Sequence, residues 1–315
     1  MTTAGLIALG YALIIFLWWS PGPNRGPHTL MVHEGSTVAS VARQLDREGA
    51  IPGNALTFRA MARLFGPHDP IQAGEFQIPN RMSAARILEL LEHGKPVLRL
   101  VTVPEGMPSI EVQAKLAGIP YLTGPSPLAP DGTLLPDTYG YQRGETRQAL
   151  VQRMQQAMTS FINSVWPQKR GDCPVGSKQD ALTLASIVEK ETGKGAERPM
   201  VAGVYCNRLK IGMKLDADPT VIYPVTKGKP LGRRILKSEL AADNPYNTYR
   251  RAGLPPGPIA NPGKASIAAV LHPAQTKALY FVADGTGGHV FADTIEQHNA
   301  NVQKWYALRR SRGEM

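Results

Sequence analysis

The stretch Leu182-Thr183-Leu184-Ala185-Ser186-Ile187-Val188-Glu189-Lys190-Glu191-Thr192 is almost wholly apolar until it ends on two carboxylates. A carboxyl at the rim of an apolar face loses hydration. Its pKa rises, and it can stay protonated near neutral pH as a general acid. At about 100° per residue, Thr183, Ser186 and Lys190 form one polar stripe toward solvent, while Ala181, Leu182, Leu184, Ala185, Ile187 and Val188 fill the remaining arc. Glu189 and Glu191 fall on the two flanks of that arc, roughly 160° apart. They cannot point at one spot, so one is a candidate for catalysis and the other for a structural role. The alternative is that both glutamates end a helix in ion pairs with Lys190, Lys194 or Arg198.

Three loops concentrate polar groups beside prolines that fix the backbone: Leu135-Pro136-Asp137-Thr138-Tyr139, Asp218-Pro219-Thr220 with Tyr223, and Asn244-Pro245-Tyr246-Asn247-Thr248-Tyr249. Turn chemistry explains each singly. Together they supply the hydroxyl, amide and aromatic groups of a groove for a polar, ring-shaped ligand such as a sugar. His272, His289, Asp293 and His298 match no compact zinc spacing, and no cofactor or metal is expected. Cys173 and Cys206 could pair in an oxidising compartment, but two thiols make no framework. Cys206, in an apolar run, reads as a buried small hydrophobe.

These residues need a scaffold, and 315 residues with 43% hydrophobic and 19% charged content can build one large or two ordinary cores. From Ala4 to Trp19 the chain carries no charge and closes on a Trp pair suited to a membrane interface. This segment reads as an anchor, although it is marginally short unless Thr2 and Thr3 are counted. A cleaved signal peptide is the rival, but it lacks a basic n-region. The net charge is +10, and the run of Lys227, Lys229, Arg233, Arg234 and Lys237 holds no acidic residue. It suits an anionic membrane or polymer. Without interleaved stacking aromatics it does not indicate nucleic acid.

Rhythm then divides the chain. From Thr29 to about Leu98 the order is strand, helices, strand, helix, with helical sets at Val38, Val41, Ala42 and Leu45, at Leu56, Phe58, Met61 and Leu64, and at Ala84, Ile87, Leu88 and Leu91. The run Gly74–Ile78 alternates like a strand. This is a small α+β module with no nucleophile or phosphate loop, which supports a binding or spacing role. A strand over Leu98–Val103 opens the larger part. Ala149–Leu209 is helical apart from a Gln168–Gln179 loop, the chain from Leu215 onward is rich in turns and short β-like runs, and a last helix runs from Thr294 to about Arg310.

The motifs Val101-Thr102-Val103-Pro104-Glu105-Gly106, Gly132-Thr133-Leu134-Leu135-Pro136-Asp137-Thr138-Tyr139, Leu184 to Glu191 with Glu197-Arg198, and Val204-Tyr205-Cys206-Asn207-Arg208-Leu209 closely resemble the YceG-like endolytic murein transglycosylase family. So do Leu215 to Tyr223, Tyr246 to Tyr249, Gly253-Leu254-Pro255-Pro256-Gly257-Pro258-Ile259 and Gly288-His289-Val290-Phe291, so that the resemblance covers Thr29 to the end. Asp131 stands where the family pattern has Glu, and the stretch ahead of the membrane segment is unusually short.

The resemblance implies an α+β protein with a membrane helix and linker over residues 1–28, a LysM-like subdomain over 29–98 and a catalytic YceG-like domain over 99–315. It implies a bacterial inner-membrane protein with a single pass, its N-terminus inside and its catalytic domain in the periplasm. Its substrate would be nascent peptidoglycan strands, cut to leave 1,6-anhydro-N-acetylmuramic ends, with peptidoglycan synthases as partners. Glu189 is the position that matches the catalytic acid. Glu191 is then expected to hold Arg198 or Arg208 and brace the site, and Asp218, Thr220, Tyr223, Tyr246, Asn247 and Tyr249 are the candidates for holding sugars. One carboxyl suffices when the muramic C6 hydroxyl is the nucleophile, whereas ordinary glycosidases need two. A non-catalytic, membrane-anchored peptidoglycan-binding scaffold is the alternative.

Overall fold

The computed structural model describes residues 3–314, which form two compact units, one running up to Leu100 and including Gly140–Gly144, the other made of Val101–Tyr139 and the chain from Glu145 onward. Strands β3 (Arg99–Thr102) and β4 (Thr138–Tyr141) pair with each other, and the division falls within both.

The smaller unit contains α1 (Thr3–Trp19), β1 (His28–Val32), α2 (Val38–Arg47), α3 (Ala55–Phe65), β2 (Gly74–Ile78) and α4 (Ala84–His93). Its expected order of strand, two helices, strand and helix is present. Strands β1 and β2 are antiparallel with Leu30 opposite Phe76, and Leu30, Val32, Phe76 and Ile78 point into the core. Helices α2, α3 and α4 each start on a side-chain cap, with Thr37 and Ser40 forming a capping box for α2, Asn54 capping α3 and Ser83 capping α4. On α3 the buried face is Phe58, Met61 and Ala62, whereas Leu56 and Leu64, expected in the core, are exposed. Positions 58, 61 and 62 share one helical face, and 56 and 64 lie off it.

Met1 and Thr2 of the expected anchor lie outside the described residues. Helix α1 has 17 residues, about 25 Å at 1.5 Å each, against a hydrocarbon core of about 30 Å. Among the described residues no helix is long and apolar enough to cross a membrane. The two tryptophans do not act as an interfacial pair. Trp18 is buried in the core of the unit, edge-on to Phe58 at 5.5 Å between ring centroids, and Trp19 is exposed. Consecutive helical residues are about 100° apart, so only one of them can face the module.

The larger unit contains α5 (Ser109–Ala117), α6 (Arg147–Val165), α7 (Lys178–Glu191), α8 (Arg198–Lys210), α9 (Asp218–Thr226), α10 (Lys237–Ala241), α11 (Lys264–Leu271), the antiparallel hairpin β5 (Tyr280–Ala283) and β6 (His289–Ala292), and α12 (Ile295–Ser311). The turn-rich reading after Leu215 missed three helices. Asp218-Pro219-Thr220 begins α9, with proline in the first turn, where its missing N–H costs nothing. Helix α11 is short, and its capping residue is Gly263, which makes no side-chain cap.

Helices α7, α8 and α11 pack together with α6 around a core that includes Leu184, Ile187, Val201, Tyr205 and Val270. Cys206 is buried there, as expected of a small hydrophobe, but it is also bridged to Cys173 with 4.8 Å between their Cα atoms. The bridge ties the loop ahead of α7 to the middle of α8 and closes a separation of 33 residues. In the chain-entropy account such a loop stabilises the fold by about 4 kcal/mol. Replacing both cysteines by alanine is expected to lower the unfolding free energy in urea by about that amount, while a loss below about 1 kcal/mol would show that the bridge does not constrain the unfolded chain.

Candidate active site

Helix α7 begins on a capping box in which Ser177 accepts from the Asp180 amide and the Asp180 carboxylate accepts from the Ser177 amide. Every residue from Ala181 to Val188 is buried. The solvent stripe expected at Thr183 and Ser186 is therefore absent, because both hydroxyls are satisfied internally. Thr183 Oγ1 donates to the Gln179 carbonyl at 2.8 Å, and Ser186 Oγ donates to the Thr183 carbonyl at 2.7 Å. Ser186 Oγ also accepts from the Ile259 amide at 3.0 Å, tying the proline-rich segment before α11 to the middle of α7. A helix enclosed on all sides carries its last turn, and both glutamates, out of the core in fixed directions.

Glu189 points toward α11. Its Oε1 accepts from Arg198 Nη2 at 2.9 Å and its Oε2 from the Gly263 amide at 2.9 Å. The same guanidinium nitrogen reaches Glu105 Oε2 at 3.2 Å, so Arg198 bridges two carboxylates. Glycine at 263 leaves room for the Glu105 carboxylate, which a Cβ there would displace. Asn261 holds this corner together. Its Oδ1 accepts from the amides of Gly132 and Leu134, its Nδ2 donates to the Met107 carbonyl and Ser109 Oγ, and its own carbonyl accepts from Gly106. With both oxygens accepting, Glu189 is placed as a brace. Of the two partners expected for Glu191, Arg198 pairs with Glu189 instead, and Arg208 lies in the cavity lining with Glu191.

Glu191 points the other way, into a cavity of about 370 Å³. Tyr205, Arg208, Asp216, Asp218, Tyr249 and His298 line it with Glu191. Burial pushes the Glu191 carboxyl up to about 7; the Tyr205 hydroxyl donates to it and pulls the other way, the nearby Asp218 raises it further, and Arg208 lowers it. The same desolvation and the neighbouring Glu191 raise the Tyr205 phenol well above its ordinary value. Arg208 is itself fixed, its Nε donating to the Leu279 carbonyl and its Nη1 to the Leu215 carbonyl, both at 2.6 Å, with its guanidinium over the Tyr280 ring. Tyr249 donates to Asp218 Oδ1 at 2.7 Å.

Of the six residues expected to hold sugars, Asp218 and Tyr249 line this cavity. Thr220 and Asn247 are buried and bonded internally. Thr220 shares a 2.8 Å hydroxyl contact with Thr248 and donates to the Ala217 carbonyl, while Asn247 Nδ2 caps the carbonyls of Leu240 and Ala242 and its Oδ1 accepts from the Tyr249 amide. They position Asp218 and Tyr249. Tyr223 and Tyr246 pack ring to ring at 4.8 Å, away from the cavity lining. Tyr223 donates to Asp131 Oδ2, and Asp131 Oδ1 caps the start of α5 at the Ser109 amide, which gives the unexpected aspartate a structural task.

Sequence reasoning missed Tyr205, Asp216 and His298 as lining residues, and Asn261 as the organiser. Asn261-Pro262 repeats the Asn-Pro pair of Asn244-Pro245, the one signal that could have drawn attention to it. His289 is held by Glu197 at 2.8 Å and His298 stacks on Tyr280; among the described residues no cluster of His, Cys, Asp and Glu is placed to hold a metal.

A desolvated carboxyl at the end of a buried helix, in a cavity lined by tyrosine and aspartate, has the composition that acid–base chemistry requires. The model of the YceG-like family matches residues 30–304, and the chain belongs to that family. An endolytic murein transglycosylase of Bacillus subtilis is 37% identical over 183 residues, covering 58% of this chain and 49% of that protein. One from Streptococcus pneumoniae strain D39 is 29% identical over 324 residues, covering 87% and 57%. The chain thus spans about half the length of the curated relatives it matches. A solved YceG-like structure from Listeria monocytogenes aligns with a TM-score of 0.52 at 26% identity, over 88% of this chain and 99% of that one.

The raised Glu191 pKa has a consequence for stability. Between about pH 4.5, where the unfolded carboxyl ionises, and about pH 7, the native protein holds a proton that the unfolded chain has released. Stability from this group is therefore fully present below that window and is lost as pH rises through it. Urea unfolding should show wild type losing on the order of 3 kcal/mol across the window relative to Glu191→Gln. Parallel pH profiles for the two proteins would contradict the burial argument.

Proposed function

We propose that the chain is a peptidoglycan lytic transglycosylase whose general acid is Glu191, with Glu189 as the residue that positions the end of α7. The observation that carries this reading is the Glu191 carboxyl, kept neutral up to about pH 7 in a cavity that also holds tyrosine and aspartate groups. The family resemblance matches the acid to Glu189, but both oxygens of Glu189 are occupied by Arg198 and Gly263. The geometry supports exchanging the two roles.

In the proposed reaction Glu191 donates its proton to the oxygen bridging N-acetylmuramic acid to the next sugar, and the C1–O bond breaks. The muramic C6 hydroxyl attacks C1, forming the 1,6-anhydro ring, and gives its proton to the Glu191 carboxylate. Atoms balance without water, and the acid is regenerated. Asp218, held by Tyr249 and electrostatically coupled to Glu191, is the group assigned in this reading to oppose the positive charge that develops at C1.

The cellular setting is part of the proposal. The apolar α1 would tether the chain at the bacterial inner membrane, with the larger unit in the periplasm, where the Cys173–Cys206 bridge suits an oxidising compartment. The smaller unit would act as a LysM-like glycan-binding module, an assignment supported by its element order and by a cavity of about 680 Å³ between α2, α3 and α4. Nascent strands would be the substrate and peptidoglycan synthases the neighbours.

Digestion of purified peptidoglycan by the full chain, with released ends read by mass spectrometry, tests the reaction. Wild type is expected to give anhydromuramic ends at a rate that falls above about pH 7 as Glu191 loses its proton. Glu191→Gln should lose about 10²–10⁴-fold in rate, and Glu189→Gln distinctly less. Reducing ends would mean hydrolysis with a second carboxylate as base, and full activity of Glu191→Gln would overturn the assignment. Binding of sacculi without cleavage by any of the proteins would indicate a scaffold.

A further inference from the structure

The basic run singled out in the sequence borders the Glu191 site without contributing to its chemistry. A second cavity, of about 430 Å³, is lined by Asp218, Tyr249, Ile222, Ile235, Arg233 and Arg234. Asp218 and Tyr249 also line the Glu191 cavity, so this hydrogen-bonded pair is the wall the two cavities share. A polymer seated at Glu191 and crossing that wall enters the second cavity.

The two arginines there differ. Arg233 is committed to Glu239, whose two oxygens accept from both of its terminal nitrogens, and Glu239 also accepts from the Leu236 amide. This pair fixes the loop. Arg233 Nη1 further donates to the Arg234 carbonyl at 3.0 Å and so sets the Arg234 backbone. The Arg234 side chain is exposed, and its guanidinium has no hydrogen-bond or ion-pair partner among the described residues. Lys229 on the same loop and Lys237 at the start of α10 add positive charge, and Ile222 and Ile235 supply an apolar wall.

A guanidinium fork beside aliphatic side chains is suited to a carboxylate carried on a short peptide with small apolar side chains. In a peptide-bearing strand the muramic lactyl carboxyl is tied up in the amide to the stem peptide, so the free carboxylates are those of the stem peptides. We propose that the second cavity is a subsite for a peptide-bearing muramic residue next to the cleaved bond, with Arg234 pairing with a stem-peptide carboxylate. This subsite rests on the glycan-cleaving reading and makes peptide-bearing strands, rather than denuded ones, the preferred substrate.

Calorimetric titration of the full chain carrying Glu191→Gln, with glycan tetrasaccharides that either retain their stem peptides or carry each lactyl carboxyl as a neutral methylamide in their place, tests the subsite. The peptide-bearing form is expected to bind about tenfold more tightly, in line with one hydrogen-bonded charge pair. Adding Arg234→Gln should remove that preference and leave the affinity for the peptide-free form unchanged, while Arg234→Lys should retain part of it. Equal affinities for the two glycans before any change at Arg234, or an equal loss for both after it, would overturn the subsite. So would an Arg234→Gln protein that keeps its peptide preference but loses binding to phosphatidylglycerol vesicles, which would make the loop a lipid contact. Failure of the cleavage reading shows separately, as a wild-type chain that leaves both glycans intact while the peptide preference persists.

Discussion

Enclosure of α7 from Ala181 to Val188 is the constraint on which the site depends. A helix exposed on one side lets a glutamate at its end choose among rotamers and stay hydrated. Here α8, α9 and α11 surround the helix, so its last turn leaves the core with little freedom, and its two carboxylates, on opposite flanks, meet different surroundings. Glu189 meets a guanidinium and an amide. Glu191 meets a phenol and the wall of a cavity, and loses hydration there. The same residue type, two positions apart, is ion-paired in one case and desolvated beside a phenol in the other.

The contacts of Glu189 fix the end of α7 that also carries Glu191. Glu189 joins α7 to the start of α11 through Gly263 and to the start of α8 through Arg198, while Asn261 binds the adjoining segments at Gly106, Gly132 and Leu134. On the other flank Thr220, Thr248 and Asn247 fix the segments that carry Asp218 and Tyr249. Much of the polar loop chemistry in this unit therefore serves to hold a few groups around one carboxyl.

Residue spacing made the opposed directions of the two glutamates legible, along with the alternation of β1 and β2 and the helical faces of α2 and α4. The hydroxyls of Thr183 and Ser186 misled, because on a wheel a buried serine that bonds to its own helix looks the same as one facing water. Asp218-Pro219-Thr220 misled for a related reason: proline marks a turn or a helix start equally well. Which glutamate pairs with Arg198 depends on a contact across nine residues and on where Gly263 lands, and neither follows from periodicity. Thr220 and Asn247 sit in the right motifs but face inward, a distinction set by tertiary packing alone.

Carboxyl-carbon NMR of the protein labelled at glutamate, with the Glu191 signal assigned by its loss in Glu191→Gln, measures the central quantity directly. Desolvation in the cavity should give Glu191 a titration midpoint near 7. A midpoint at the ordinary glutamate value of about 4.5 would mean that Glu191 is ionised at neutral pH, and the exchange of roles between Glu189 and Glu191 would then be contradicted.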